Sequence, residues 1–331
     1  MNKIAFALLI VLLAIAPFFV YPVFLMKMLC FALFACAFNL LIGFTGLLSF
    51  GHAAFFGTAA YVTGHMVKAW GIPPEIGILA GTLTSAVLGL VFGAIAIRRQ
   101  GIYFAMVTLA LAQMIYFAAL QAPFTGGEDG IQGIPRGRLF GVVDLGNDNA
   151  MYYLVLAIFV FGFLVIYRTI HSPFGQVLKA IRENEPRAVS LGYRTERYKL
   201  LAFVLSATLA GLAGSTKSLV FQLASLVDVQ WQMSGEVVLM TLLGGMGTVF
   251  GPVVGAAMVV ALQNYFAYLG AWVTIILGVI FVVCVLTFRR GIIGELDALL
   301  RRRRRRQDEG EPVAAAGDEA PPTSAPAAGA P

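Results

Sequence analysis

Residues 172–199 read SPFGQVLKAIRENEPRAVSLGYRTERYK, which is the longest polar interruption in an otherwise apolar chain. Ser172 followed by Pro173 predicts a helix start, because serine can cap free backbone N–H groups and proline suits the first helical position. A helix can then run to about Arg182. The first half of the stretch is therefore predicted to be a short helix that follows a hydrophobic segment.

The second half of this stretch carries a second set of helix signals. Pro186 cannot continue the first helix, but it can open another one, with Asn184 or Glu185 as its cap. Gly192 supplies a left-handed stop. The sequence thus predicts two short helices on a membrane surface, an arrangement that indicates a docking platform and not a catalytic loop.

The composition around this platform is that of a membrane protein. The 331 residues are 59% hydrophobic and 12% charged, with a mean hydropathy of +0.85. Several nearly uncharged stretches reach about 18 residues, the length that crosses a bilayer. We expect an all-α, polytopic integral membrane protein with about ten transmembrane helices, whose 36 glycines let helices approach closely.

Hydrophobic runs separated by turn signals locate the predicted spans. A signal peptide is the alternative for the first run, but no A-x-A cleavage site follows it, so we expect a retained span. The ten spans are predicted at about 4–20, 23–42, 53–67, 76–97, 102–120, 151–167, 200–216, 236–243 and onward, 252–268 and 272–288. Residues 217–235, between the seventh and eighth spans, are amphiphilic, and the span count around 217–270 stays open.

The chain divides into a membrane domain, 1–290, and two cytoplasmic segments. The membrane domain includes the platform, 172–199, and a glycine-rich polar loop, 121–150. The segment 291–306 ends in six consecutive arginines, which suit contact with anionic lipid at the cytoplasmic surface. No aromatic residues alternate with these arginines, which argues against nucleic acid as the partner. Residues 307–331 are rich in Ala, Pro and Gly and are predicted to be disordered.

The distribution of positive charge predicts the orientation. With both termini inside, cytoplasmic segments carry 18 of the 23 Lys and Arg residues, and flipping the protein would reverse this bias. The positive-inside rule therefore places the platform in the cytoplasm and the 121–150 loop outside it.

Motifs for chemistry are missing from this sequence. Gly244–Gly251 has the glycines of a phosphate loop but no Gly-Lys-Ser/Thr, so this chain is not predicted to bind ATP. No Ser/His/Asp set or pair of carboxylates has catalytic spacing inside the membrane, which argues against an enzyme. Cys30, Cys36 and Cys284 lie in apolar runs without metal-ligand spacing, so no metal site is predicted. The scarcity of intramembrane acids argues against a proton- or sodium-coupled carrier.

Two glycine-rich breaks, 43–51 and 244–251, are the candidates for lining a transport path or for close helix packing. His52 either lines the path or makes a structural hydrogen bond, and Asn39 and Asn264 are expected to bond between helices. Glu236 either lines the path or pairs with Lys217, or it is an interfacial carboxylate in water. The candidate path and packing residues are Gly43, Gly46, Ser49, Gly51, His52, Glu236, Gly244, Gly245, Gly247 and Gly251.

The residues AIRENEPRAVSLGY, followed by RYKLLAFVLSATLAGLAG, resemble the cytoplasmic coupling segment of permeases of branched-chain amino-acid ABC importers. The resemblance is to the LivM-type subunits and covers most of 30–290, with a similar early glycine-rich turn. The Ala188-x-x-x-Gly192 spacing is similar to the loop with which ABC importer permeases contact their ATPase. Its usual leading Glu-Ala pair is replaced by Pro186-Arg187, so the match to that broader motif is partial.

This resemblance implies a function and a set of partners. It implies the permease subunit of an ATP-driven importer for Leu, Ile and Val in a bacterial inner membrane. The partners would be a second related permease, two ATPase subunits that bind ATP and Mg²⁺, and a periplasmic substrate-binding protein. The residues implied in ATPase contact are Ala180, Arg182, Glu183, Glu185, Arg187, Ala188, Gly192 and Arg194.

The sequence leaves alternatives open for both the substrate and the mode of transport. Similar permeases serve urea, amides or aromatic acids, because the binding protein makes most of the selection. A self-contained carrier or channel is the alternative from another class, and it would work without an ATPase.

Overall fold

The computed structural model of the chain describes residues 11–270, 272–287, 291 and 294. Residues 4–10 of the predicted first span, the arginine run 301–306 and the tail 307–331 lie outside the described residues, so the predictions made for them stay predictions. All the described residues belong to one compact unit.

Helices account for most of the described chain. The α-helices are α1 (Pro22–Thr45), α2 (His52–Ala69), α3 (Pro74–Ala96), α4 (Ile102–Gln121), α5 (Asp148–Ile170), α6 (Pro173–Glu183), α7 (Glu185–Ser190), α8 (Thr195–Phe221), α9 (Trp231–Gly244), α10 (Gly251–Tyr265) and α11 (Trp272–Thr287). Among the residues that the structure describes, strands are confined to four two-residue pieces, β1 (Ile131–Gln132), β2 (Arg138–Leu139), β3 (Val143–Asp144) and β4 (Leu223–Ala224). The prediction of an all-α membrane protein is confirmed.

Five of the described helices, α1, α3, α4, α5 and α8, are long and apolar enough to cross a membrane. Helices α1 and α8 are mostly buried within the protein, whereas α3 and α4 are mostly exposed. Because a polytopic protein turns its outermost apolar surface toward lipid or another subunit, α1 and α8 form the centre of the bundle and α3 and α4 its periphery.

Helix α8 is longer than its sequence pattern predicts. The expected span was 200–216, but the helix covers Thr195–Phe221 and includes Lys199 near one end and Lys217 near the other. Both lysines have carboxylate partners within the protein. Because the carboxylates offset the cost of burying these charges, the helix continues beyond the apolar run at both ends.

The 121–150 loop is ordered by contacts with the segment that follows α8. Strand β1 pairs antiparallel with β4, and β2 pairs with β3. Arg136 forms a 2.6 Å ion pair with Asp148 and donates to the carbonyl of Val220. The loop therefore lies at the end of the bundle where α4 finishes and α5 begins.

Candidate functional site

The coupling segment, residues 172–199, folds into the two helices that its sequence predicts. The Ser172 side chain accepts a hydrogen bond from the N–H of Gly175 at the start of α6. Asn184 does the same for α7, accepting from the N–H of Arg187 at 3.1 Å. Gly192 ends the pair with a φ of +88°. These three local predictions are confirmed, whereas the last five residues of the segment belong to α8.

Arg182 extends from α6 to the backbone of the first glycine-rich break. Its Nη1 donates to the carbonyl oxygen of Gly43. Its methylene stem covers Gly46, where an added Cβ would come within 3.3 Å of the Arg182 Cγ. The same Nη1 lies close to Gly247, where an added Cβ would be 3.1 Å away. One side chain of the coupling segment thus hydrogen-bonds to the first glycine-rich break and lies beside the second.

The two breaks also contact each other directly. Asn39 of α1 is buried, donates to the carbonyl of Thr248 at 2.8 Å and accepts from the N–H of Gly247 at 3.0 Å. A Cβ added at Gly43 would come within 2.8 Å of the Gly247 nitrogen. Asn39 was expected to bond between helices, and it does bond from α1, but to the break between α9 and α10 and not to another helix. Asn264 is exposed. We call the group Asn39, Gly43, Arg182, Gly247 and Thr248 the glycine junction.

Glu185 connects α7 to two other parts of the protein. It accepts from Lys199 Nζ on α8 at 2.5 Å and from Gln100 Nε2, in the turn between α3 and α4, at 3.0 Å. The Lys199 side chain is almost fully buried, and Ala188 on the same short helix is buried as well. Glu185 and Ala188, like Arg182, are therefore residues implied in ATPase contact that have contacts within the chain.

The remaining predicted contact residues are exposed. Ala180, Arg182, Glu183, Arg187, Gly192 and Arg194 all have exposed surface. Three apolar side chains that the sequence analysis did not select share this surface, namely Val189 at 54%, Leu191 at 69% and Tyr193 at 41% exposure. These three residues could have been predicted from the sequence, because they are apolar residues within an otherwise polar segment. A surface that combines cations with exposed apolar groups is typical of a protein interface.

His52 and Ser49, from the first break, have structural partners. Ser206 donates its only hydroxyl proton to the carbonyl of Ala37, so His52 Nε2, at 2.8 Å, is the donor to the Ser206 oxygen. The ring packs edge-on against three phenylalanines, Phe38, Phe55 and Phe203. Ser49 is buried and accepts from the N–H of Gly51. The hydrogen-bonding interpretation of His52 matches this geometry.

Of the alternatives for Glu236, pairing with Lys217 does not match the structure. Lys217 forms a buried ion pair with Asp228, at 2.6 and 2.8 Å to the two carboxylate oxygens. Glu236 accepts instead from Gln263 Nε2 at 3.2 Å. The reason is that the chain reverses after α8 through β4 and the turn Leu226–Asp228, which returns Asp228 to Lys217.

Asp228 is a buried, multiply bonded carboxylate that was not among the residues selected from the sequence. Its carboxylate also accepts from the backbone N–H and the hydroxyl of Ser225, each at 3.1 Å. The sequence does contain a pattern that points to Asp228, because Ser225-x-x-Asp228 has the spacing of a capping box. With all these bonds, Asp228 holds the reversal in place. Across the described residues, no cluster of His, Cys, Asp and Glu could hold a metal ion.

Taken with the bundle, these contacts define a multi-pass α-helical membrane protein in which an exposed helical platform is hydrogen-bonded to the interior. The chain belongs to the family described as "Branched-chain amino acid transport system / permease component", whose profile matches residues 22–285. Members of this family are permease components and not enzymes.

Individual relatives agree with this assignment. The chain is 28% identical over 278 residues to the high-affinity branched-chain amino acid transport system permease protein LivM of Salmonella typhimurium, covering 77% of this chain and 65% of that one. The LivM protein of Escherichia coli is 27% identical with the same coverage. The ribose import permease protein RbsC of Bacillus subtilis is 26% identical, covering 70% of this chain and 73% of that one.

The comparisons gave two further results, on the length of the relatives and on solved structures. This chain spans about two thirds of the length of the LivM proteins that it matches. No solved structure matches it.

Proposed function

We propose that this chain is a membrane-spanning permease subunit of an ATP-driven importer for branched-chain amino acids. The observation that carries the proposal is the coupling segment, an exposed two-helix platform whose Arg182 hydrogen-bonds to the first glycine-rich break and lies beside the second. Family membership and the two LivM relatives support leucine, isoleucine and valine as the substrates.

The proposed partners follow from the platform and from the missing phosphate loop. Two ATPase subunits bind ATP and Mg²⁺, and one of them docks on the exposed surface that contains Arg187, Leu191 and Arg194. A second, related permease completes the path, and a periplasmic binding protein delivers the substrate. This chain itself binds no cofactor. We place it in a bacterial inner membrane with both termini in the cytoplasm, where 301–306 contacts anionic lipid.

The proposed coupling uses two connections. A movement of α6 reaches the breaks through Arg182, which contacts the Gly43 carbonyl and lies beside Gly247. A movement of α7 reaches α8 through the Glu185–Lys199 ion pair. Since packed helices move as nearly rigid bodies, a push on the platform displaces α1 and α8, the two helices at the centre of the bundle.

A second candidate substrate class is a sugar, because RbsC, a ribose import permease, is similar over most of both chains. Urea, amides and aromatic acids stay as alternatives from the sequence resemblance. A self-contained carrier would transport its substrate from this chain alone in liposomes, whereas the importer requires its ATPases.

The test is uptake of labelled leucine at low concentration in the source cells with and without the gene. Valine, isoleucine, ribose, urea and an aromatic acid serve as competitors. We expect uptake to be lost on deletion, restored by the gene and blocked by valine and isoleucine alone. Leucine uptake that does not change when the gene is deleted would overturn the branched-chain assignment. Inhibition of uptake by ribose would instead indicate a sugar permease.

A further inference from the structure

Two adjoining hollows open on the surface of the protein where α5, α6 and α8 meet. Their volumes are about 550 Å³ and 420 Å³, and both are lined by Leu201 of α8. The first is also lined by Arg168 of α5 and Phe174 of α6, and the second by Arg197 of α8. Because they share a wall residue, we treat the two hollows as one site and call it the arginine groove.

The arginine groove runs along one face of α8. Arg197, Leu201, Val204 and Thr208 all line it, and their spacing of three or four residues puts them on the same side of the helix. From Arg197 to Thr208 the helix rises about 16 Å, at 1.5 Å per residue. This length is about half of the roughly 30 Å hydrocarbon core of a bilayer. The groove therefore extends from the platform through the depth of about one leaflet.

The platform end of the groove is cationic. Arg168, Arg194 and Arg197 line it and are exposed. Within the part of the chain that the structure describes, none of these three guanidiniums has an ion pair or a side-chain hydrogen bond. No acidic residue lines either hollow. Three unpaired arginines at one end of a groove favour an anion with several oxygen acceptors, such as a phosphate group.

Beyond the arginines the groove becomes aromatic and then apolar. Tyr198 stacks on Phe174 with ring centroids 5.7 Å apart and meets Tyr193 edge-on at 6.1 Å. Aromatic side chains of this kind are typical of the headgroup level of a membrane. Further along α8 the groove is lined by Leu201, which is 60% exposed, and by Val204. Cationic, aromatic and apolar surfaces thus follow one another in the order of a phospholipid's phosphate, glycerol and acyl chain.

We propose that the arginine groove binds an anionic phospholipid of the cytoplasmic leaflet. Its phosphate lies between Arg168 and Arg197, and one acyl chain lies along Leu201 and Val204. Basic pockets between membrane helices on the cytoplasmic side are suited to such headgroups. The lipid would join α5, α6 and α8, and so stabilise the platform against the bundle. This inference goes beyond the proposed function, because it does not depend on which substrate the protein imports.

The two other possible occupants fit only one end of the groove each. A cytoplasmic ATPase could contact the arginines, but it would not reach the apolar end, about 16 Å into the membrane. An apolar helix of a second permease could cover Leu201 and Val204, but it would bring no anion to the arginines. Arg194, at the edge of the groove, also belongs to the surface that we propose for the ATPase, so the tests below change Arg168 and Arg197 instead.

The first test measures how dioleoylphosphatidylglycerol raises the melting temperature of the purified full-length protein in a neutral detergent. A ligand that binds the folded state stabilises it in proportion to its affinity. We expect Arg168→Gln and Arg197→Gln each to raise the half-saturating lipid concentration by about fivefold, the effect of one arginine beside an anionic headgroup. Arg99→Gln removes an exposed arginine outside the groove and should leave the value unchanged. Arginines 301–306 are present in every variant.

The second test blocks the acyl chain and leaves the charges intact. Leu201→Trp enlarges a side chain at the point where the two hollows join. We expect it to raise the half-saturating concentration by about tenfold, since overfilling a packed site has an effect of this order. Leu83→Trp, at an equally exposed position on α3 (66%), is the matched control and should behave as the wild type. Dioleoylphosphatidylcholine, which has the same chains without net charge, should stabilise the wild type much less.

Three results would overturn the proposal. Half-saturating concentrations of Arg168→Gln and Arg197→Gln that equal the wild-type value would show that the arginines bind no lipid. Equal stabilisation by the two lipids would show that the groove does not select an anionic headgroup. An unchanged lipid response, together with loss of ATPase copurification in the two arginine variants, would assign the groove to the ATPase. If Leu201→Trp does not fold, the two arginine variants decide the outcome, because both residues are exposed.

Discussion

Arg182 makes contacts at the glycine junction that a shorter or less branched side chain could not reproduce. Its stem covers Gly46 while its guanidinium reaches the Gly43 carbonyl and lies beside Gly247. A guanidinium presents five N–H donors in a fixed planar arrangement, whereas a lysine ammonium is a compact point charge. Because the hydrogen bond is to a carbonyl and not to a carboxylate, the geometry of the donor matters more than its charge.

Replacing Arg182 should therefore disconnect the platform from the breaks. We expect Arg182→Ala to reduce leucine uptake by about tenfold or more, the effect of losing a hydrogen bond from a charged group, and Arg182→Lys to restore only part of it. The amount of protein in the membrane should not change, because Arg182 is exposed on α6. Uptake is measured in complemented deletion cells, with the exposed Arg99→Ala as the matched control. Wild-type uptake in Arg182→Lys would show that charge alone suffices.

The Glu185–Lys199 pair allows an exchange of charges as a test of its intramolecular role. Glu185→Lys and Lys199→Glu should each lower uptake, because each leaves two like charges at a partly buried site. The double variant restores an ion pair, and we expect it to recover uptake by about tenfold over either single variant, which is near the middle of the range of such coupling energies. If Glu185 acted by contacting the ATPase, the double variant would be as defective as Glu185→Lys. Reversal of Arg187, which lies on the exposed surface, should not be rescued by any change at Lys199.

The elements of the platform could be predicted from the sequence because their determinants are local. Ser172, Asn184 and Gly192 each act on backbone groups within a few positions, and the structure confirms all three. The contacts of Arg182 with Gly43 and of Asn39 with Thr248 join residues 139 and 209 positions apart. No periodicity or spacing encodes such pairs, since they depend on which helices pack together. For the same reason the sequence did not identify Asp228 as the partner of Lys217.

The break between α9 and α10 requires glycine at Gly244, and this requirement can be tested. An alanine Cβ at Gly244 would clash with the carbonyl of Gly251, whereas one at Gly235, on the same helix, would meet nothing within 4 Å. We expect Gly244→Ala to destabilise the protein by about 1–3 kcal/mol, the usual cost of overpacking. Gly235→Ala should be neutral or slightly stabilising, since alanine favours helices.

Thermal unfolding of the purified full-length variants in detergent is the measurement. A melting temperature for Gly244→Ala equal to that of Gly235→Ala would mean that the two helices move apart at no cost. The close approach at 244–251 would then have no structural importance. A lower melting temperature together with reduced uptake would link the packing of this break to transport.

At the scale of the whole molecule, the bundle has a buried centre and an apolar periphery. The sequence predicts the spans from their hydrophobicity but not this arrangement, because α1 and α3 are equally apolar while only α1 is mostly buried. The exposed apolar surfaces of α3 and α4 face either lipid or the second permease that we propose. Which of the two they face depends on the assembly, and no property of a single chain encodes it.

The orientation of this bundle is the last prediction, and two matched cysteine variants test it. Val142, in the 121–150 loop, is 85% exposed, and Val189, in α7 of the platform, is the valine used for comparison. With the three native cysteines replaced by alanine, a membrane-impermeant maleimide should label Val142→Cys in intact cells. It should label Val189→Cys only after the membrane is opened, because the positive-inside rule places the platform in the cytoplasm. The reverse pattern would place the platform outside the cell, beyond the reach of any ATPase, and would contradict both the orientation and the proposed coupling.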